Sequence, residues 1–198
     1  MRVIILCKAP VVGKVKTRLM PEYSAEQAAA VHQKMAYTVL LKVCSMFDDV
    51  WLAVDDMNHD FFKSLAQEFG VTLYTQGAGN LGDRLAGLSK ASFSLDDKAV
   101  LFLGTDSPHV DVQRYQDVES GLNDCDVVIG PVEDGGYDLI ATASFQPELF
   151  QDIDWGSETV FIKTMSIINR LSLSVKVLET SFDLDRPQDL QRASPESW

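Results

Sequence analysis

This chain of 198 residues has few of the features that mark most specialised protein classes. It has three cysteines, Cys7, Cys44 and Cys125, odd in number, far apart and each in an apolar setting. A disulfide framework and a structural zinc site are therefore excluded as expectations, and reduced core thiols in the cytoplasm are predicted. No apolar stretch approaches the roughly 18 residues of a membrane span, and the opening has no signal-peptide pattern. Internal repeats, low-complexity tracts and Pro/Gly/Ser linkers are absent. Basic residues are also scarce, with 17 Lys and Arg against 29 Asp and Glu and a net charge of −12. That balance excludes a broad nucleic-acid surface, whose phosphates require clustered cations.

The scarce cations are unevenly placed. The first eighteen residues hold Arg2, Lys8, Lys14, Lys16 and Arg18 and no acid. Four of these lie in KAPVVGKVKTR, directly after the apolar run Val3–Cys7. A strand that empties into a loop with a glycine and several cations is one way that α/β proteins cradle phosphate. The plain alternative is a solvated basic loop balancing nearby acids.

At 46% apolar composition, one domain over residues 1–198 with a full core is expected, since a chain of this size buries roughly 70% of its unfolded surface. Strand-like runs alternate with helical periodicity, predicting an α/β fold with a mostly parallel sheet. Strands are expected near 2–7, 49–55, 71–75, 99–103, 126–130, 137–143 and 173–178. Helices are expected near 24–46, 59–69, 81–92, 111–122, 157–171 and 186–193. Ser24 with Gln27 three residues on reads as a capping box, and Gly70 as a stop. Ligands in such folds sit beyond the carboxyl ends of the strands. Four unusual clusters fall there: loop 8–18, Gly104–Pro108, Gly130–Tyr137 and Asp183–Pro187.

Asp106, at the mouth of the most apolar strand, suits magnesium, which needs one or two carboxylates and bridges substrate phosphates. The competing reading is a helix cap or an Asx-turn before Pro108. Asp183 and Asp185 offer a second carboxylate, with Asp185 preferred, although Asp185 before Pro187 also suits a helix start. In EDGGYD, Gly135 and Gly136 permit positive φ and close approach to a ligand, or make a hairpin turn. Tyr137 is placed to stack on a base or sugar, or to pack on the sheet, and Trp155 to line the acceptor side or serve as core or lid. Gln76–Gly82 contains a literal G-x-G-x-x-G, the pattern of a nicotinamide-dinucleotide site. It follows the third strand instead of the first, and leaves the basic loop without a role. Gly13-Lys14 lacks the flanking residues of a P-loop. The histidines are isolated; only His109, beside the Asp106 loop, is placed to touch a ligand, and a packing role is the alternative. No arrangement suggests a covalent nucleophile.

Together KAPVVGKVKTRL (8–19), QGAGNLGDRL (76–85), GTDSP (104–108), DVVIGPVEDGGYDLI (126–140) and DLDRPQDL (183–190) resemble a known family over nearly the whole chain. It comprises small bacterial proteins of the nucleotide-diphospho-sugar transferase superfamily, grouped as a domain of unknown function or as glycosyltransferase-like. The pattern is also similar to the phospholactate guanylyltransferases and, more distantly, to the molybdenum-cofactor nucleotidyltransferases. The resemblance implies a single three-layer α/β/α sandwich of glycosyltransferase-A type, with a nucleotide over its N-terminal half. Lys16, Arg18 and Asp106 become the expected catalytic residues. The nucleotide would meet Lys8, Ala9, Pro10, Gly13, Lys14, Lys16, Arg18, Gln76, Gly82, Arg84, Gly104 and Thr105. The acceptor would meet Asp134, Gly135, Gly136, Tyr137 and Trp155, and Asp106 and Asp185 would hold Mg²⁺ or Mn²⁺. The first loop departs from the Gly-rich form of many sugar nucleotidyltransferases, having Lys and Val in its place.

The implied activity is nucleotidyl transfer from a nucleoside triphosphate to a small phosphorylated or hydroxylated acceptor. The alternatives are glycosyl transfer from a nucleotide-sugar and a non-catalytic nucleotide-binding protein. Expected partners are the nucleotide and the acceptor, with no nucleic acid and no membrane span; a homodimer is left open.

Overall fold

Alternate residues of the central strands face opposite ways, as a pleated strand requires, and both faces are apolar. Val3, Ile5, Leu52, Val54, Leu101, Leu103, Val128 and Leu139 enter one core. Ile4, Trp51, Ala53, Phe102, Ile129 and Ile140 enter the other. A sheet apolar on both faces needs cover on both, so the helices divide between them. The computed structural model describes residues 1–193 and 198.

The strands are β1 (Arg2–Cys7), β2 (Val50–Val54), β3 (Thr72–Thr75), β4 (Val100–Leu103), β5 (Val127–Pro131), β6 (Tyr137–Thr142) and β7 (Val175–Val177). They form one sheet in the order β3-β2-β1-β4-β6-β5-β7. All neighbouring pairs are parallel except those of β6, which runs antiparallel to β4 and β5. The helices are α1 (Ala25–Cys44), α2 (Asp60–Phe69), α3 (Leu81–Phe93), α4 (Val112–Gly121), α5 (Val160–Arg170) and α6 (Pro187–Arg192). Side chains of α1, α2 and α4 fill the first core, and those of α3 and α5 the second. The expected three-layer, mostly parallel α/β fold is therefore present. Among the described residues, no helix is long and apolar enough to cross a membrane.

Local chemistry sets the helix ends. Ser24 and Gln27 form the expected capping box on α1, and Gly70 ends α2 in the left-handed region at φ 67. Two 3-10 turns, Thr17–Leu19 and Pro147–Phe150, lie outside the elements expected from periodicity. Both are too short for a periodic signal.

Two features of the fold position the site. The β5–β6 hairpin returns the chain antiparallel, so the start of β6 lies beside the ends of β4 and β5; Gly104 N donates to Asp138 O at 3.2 Å. The C-terminal segment crosses the same edge. Ser181 N donates to Pro131 O at 2.9 Å and Leu184 N to Asp106 O at 2.8 Å. Leu184 is buried with Met35 and Ala193, which ties the crossing to α1.

Candidate functional site

Loop 8–18 leaves β1 and folds back over the strand ends. Ala9 N donates to Asp55 Oδ1 at 2.7 Å, and Lys14 N to Val11 O at 2.9 Å. Gly13 takes φ 79, and Lys16 is held at φ 47, ψ 40. A non-glycine residue in the left-handed region is uncommon. Here it turns the Lys16 side chain inward, leaving it 4% exposed. Its Nζ lies 2.7 Å from Asp106 Oδ1 and 2.9 Å from Asp185 Oδ1, and donates to Leu184 O at 3.0 Å. Arg18 Nη1 reaches Asp185 Oδ2 at 2.9 Å. Burial alone would lower the Lys16 pKa, but Asp106 and Asp185 outweigh it and hold the ammonium above its ordinary value. Burial likewise opposes ionisation of Asp106, and the adjacent Lys16 charge overrides it and lowers that carboxyl's pKa.

Neither carboxylate serves as a helix cap. Asp111 caps α4, accepting from Gln113 N at 2.9 Å. At the start of α6, Asp189 Oδ2 accepts from Arg186 N at 2.7 Å and from Asp185 N at 3.1 Å. The side chains of Asp106 and Asp185 are thus left to the cluster around Lys16.

Gln76 follows β3 and sits under the same edge. Its Nε2 donates to Cys7 O at 3.0 Å and Ala53 O at 2.9 Å, and its Oε1 accepts from Arg84 Nη1 at 2.9 Å. Arg84 Nε also donates to Gly79 O at 3.1 Å. Asn80 and Asp83 close a reciprocal capping box at the start of α3. The G-x-G-x-x-G match is therefore a helix-entry turn with its own side-chain cap, and it follows the third strand.

These groups line a cavity of about 520 Å³ that includes Lys8, Lys14, Lys16, Arg18 and Arg84 together with Asp106 and Asp185. A second cavity, about 210 Å³, adjoins it and shares Leu6, Leu81, Gly104 and Asp106. Asp183 lines the second and not the first. Ser107 Oγ donates to Asp183 Oδ1 at 2.6 Å. Burial, then the charge of Asp106, pushes the Asp183 pKa up to about 7. Asp138 lines the second cavity as well, held by Arg114 through Nε–Oδ2 at 3.0 Å and Nη2–Oδ1 at 2.9 Å.

Of the expected nucleotide residues, Lys8, Lys14, Lys16, Arg18, Gln76, Arg84, Gly104 and Thr105 line the larger cavity. Ala9, Pro10, Gly13 and Gly82 are not among its lining residues. Gly82 instead lets α3 approach its neighbours, since a Cβ there would stand 2.2 Å from Phe150 O and 2.5 Å from Trp155 Nε1. Of the expected acceptor residues, Tyr137 lines the smaller cavity. Asp134, Gly135, Gly136 and Trp155 line neither cavity. Asp134 Oδ1 accepts from Gly136 N at 2.9 Å to close the hairpin. Gly135 packs against the backbone of Glu158, and its carbonyl accepts from Phe161 N at 2.9 Å. Trp155 meets Tyr137 edge to face at 6.1 Å.

The histidine brought to the larger cavity is not His109. His109 lies against Phe182 at 4.1 Å between ring centroids and lines a different cleft, beside α4. His32 is the histidine in the larger cavity, with Nε2 2.8 Å from Lys8 O. Its place on α1 had no local sequence signal, because a helical face is partnered only by the fold. Thr17 and Asn80 also line the larger cavity and Asp138 the smaller one, without having been singled out in the sequence.

The donor set suits a hard cation. Among the described residues no group of three or more His, Cys, Asp or Glu side chains is arranged to hold a metal. Magnesium needs less, namely one or two carboxylates plus phosphate and water. Asp106 and Asp185, both within ion-pair distance of Lys16 Nζ, are a pair of carboxylates of that kind.

No functionally curated protein matches this chain. Among solved structures, it is similar to a provisionally named nucleotide-diphospho-sugar transferase from Desulfovibrio desulfuricans G20. That pair is 27% identical with a TM-score of 0.88, over 96% of this chain and 85% of the other. The fold is also similar to a cytidylyltransferase from Leptospira borgpetersenii, at 15% identity and TM-score 0.57 over 92% and 76% of the two chains. A third similar fold is the 4-diphosphocytidyl-2C-methyl-D-erythritol synthase of Anaerococcus prevotii, at 10% identity and TM-score 0.61 over 97% and 96%. The bacterial family described as uncharacterized protein conserved in bacteria (DUF2064) matches residues 40–157, more than half of the chain, and the protein belongs to that family.

Proposed function

We propose that the protein is a transferase acting on a nucleotide. The reaction is nucleotidyl transfer from a nucleoside triphosphate to a small acceptor, dependent on Mg²⁺ or Mn²⁺. The carrying observation is the larger cavity, where five cations meet two carboxylates at the carboxyl ends of the strands, in a chain of net charge −12. A triphosphate supplies the negative charge that such a set of cations attracts. Lys8, Lys16 and Arg18 bind phosphate oxygens and stabilise charge on the departing pyrophosphate. Asp106 and Asp185 are the residues that would hold the metal, which when bound would neutralise phosphate charge and orient the reacting groups. Gln76 positions Arg84 over the same cavity. This chemistry depends on positioning and charge, and no covalent nucleophile is required.

A thermal-shift panel of ATP, GTP, CTP, UTP, UDP-sugars and GDP-sugars, each with and without Mg²⁺, tests the reading. A ligand at 100 times its Kd stabilises by about 2.7 kcal/mol, and a metal-dependent response to one triphosphate is expected. Asp106→Ala should then reduce turnover at least 10²-fold, about 3 kcal/mol, with an unchanged far-UV spectrum. Full activity in that variant would remove Asp106 from the mechanism. Glycosyl transfer is the second reading, favoured by the name of the D. desulfuricans protein. Release of a nucleoside diphosphate, in place of pyrophosphate, would select it.

A further inference from the structure

The smaller cavity has acidic lining residues and no basic ones. Its wall is apolar, with Leu85, Phe102, Leu139 and Ile140, and its polar lining is Asp106, Ser107, Tyr137, Asp138 and Asp183. No Lys, Arg or His is among its lining residues, whereas five cations line its neighbour. We infer, resting on the transferase reading above, that this cavity receives the body of the acceptor, and that the acceptor is an uncharged alcohol. It has a small carbon skeleton bearing hydroxyl groups, without phosphate or carboxylate.

Charge is the first argument. A phosphate or carboxylate here would meet no Lys, Arg or His in the lining, and an anion taken into a largely apolar space without a cation to pair with loses its hydration uncompensated. Arg114 is committed to both oxygens of Asp138 and to Glu179 O, and it is not among the residues lining the cavity. A site with cations on one side only sorts its two ligands by sign, the anion to one cavity and the neutral partner to the other.

Hydrogen bonding is the second. Ser107 donates to Oδ1 of Asp183, while Oδ2 has no donor among the described residues. A hydroxyl supplies the missing donor without bringing a charge. An ammonium would also be attracted, but four apolar residues make its desolvation costly. Volume is the third, because about 210 Å³ lies below the roughly 300–1,000 Å³ of drug-sized sites.

Because the cavities share Leu6, Leu81, Gly104 and Asp106, an alcohol seated in one presents its oxygen to a nucleotide in the other. That oxygen bonds to the α-phosphorus as the bond from phosphorus to the β-bridging oxygen breaks. Pyrophosphate leaves, and the hydroxyl proton passes to water.

The test uses four acceptor sets matched in carbon skeleton over three to six carbons: diols, hydroxy acids, amino alcohols and diol monophosphates. Each is presented to the full chain with MgCl₂ and an equimolar mixture of ATP, GTP, CTP and UTP. Binding is read by saturation-transfer NMR and pyrophosphate release in parallel. Diols should bind at least tenfold more tightly than the acids and phosphates. Asp183→Asn should weaken the best diol at least tenfold while leaving the triphosphate thermal shift unchanged. Equal or tighter binding of hydroxy acids, monophosphates or amino alcohols overturns the inference. So does a triphosphate response with no acceptor signal, and then the nucleotide reading survives alone. Absence of any triphosphate response removes both together.

Discussion

Lys16 carries a buried charge into the space between two carboxylates. Its left-handed backbone aims the side chain inward, so a conformation that is uncommon for lysine serves to place an ammonium. The placement of Lys16 and Asp106 at the strand ends was legible from residue type and position: a cation in a loop after one strand, an acid at the mouth of another. Their mutual pairing was not, because 90 residues separate them and only the order of strands brings β1 beside β4. His109 illustrates the reverse error, since nearness in sequence to Asp106 did not give nearness to the cavity. Its Nδ1 is buried without a hydrogen-bond partner among the described residues. Burial, aided by the charges of Lys42, Arg192 and Arg114, lowers its pKa to about 4. A base with a depressed folded pKa adds stability above its unfolded value, and that stability is lost as pH falls toward the folded one. The contribution of His109 to stability should therefore decline between about pH 6.5 and 4, against the opposite trend from Asp183, whose pKa is raised to about 7, and the wild-type advantage over His109→Gln should shrink across that range. A wild-type and variant difference that does not change with pH would refute the assignment.

At the scale of elements, α3 depends on two glycines in opposite ways. Gly82 is wedged against Phe150 O and Trp155, whereas a Cβ on Gly87 would meet nothing within 4 Å. Gly82→Ala should destabilise by about 1–3 kcal/mol, the usual penalty of overpacking. Gly87→Ala should stabilise by about 0.5–1 kcal/mol, through helix propensity and reduced freedom of the unfolded chain. Urea denaturation of both variants measures the two signs. The existence and type of every strand and α-helix were readable from apolar periodicity and caps, with ends within three residues. Strand direction was less so. Tyr137–Thr142 has the alternation of any strand, and its antiparallel course is fixed by the short turn at Asp134–Gly136. The same turn explains why EDGGYD could be read as binding loop or hairpin: its glycines allow close packing against Glu158, while Tyr137, the first residue of the next strand, reaches a cavity.

The whole molecule sets a small basic cavity into an acidic body of net charge −12. Composition argued against a broad nucleic-acid surface, and four cations gathered in one loop pointed to where an anion would be met. That segregation has a kinetic consequence. At about 0.01 M salt the Debye length is about 30 Å, so an approaching anion senses the repulsion of the entire body. At about 0.15 M it is about 8 Å, which erases the distant repulsion and leaves much of the attraction at the cavity mouth. Binding of a triphosphate followed by stopped flow should then show an association rate that holds or rises with added salt, while dissociation accelerates. A steep fall in the association rate would mean that the local field of the loop already dominates at long range. In the expected case salt weakens the complex through its lifetime and not through its formation, so the ligand would enter as readily in a crowded ionic medium as in a dilute one and simply leave sooner.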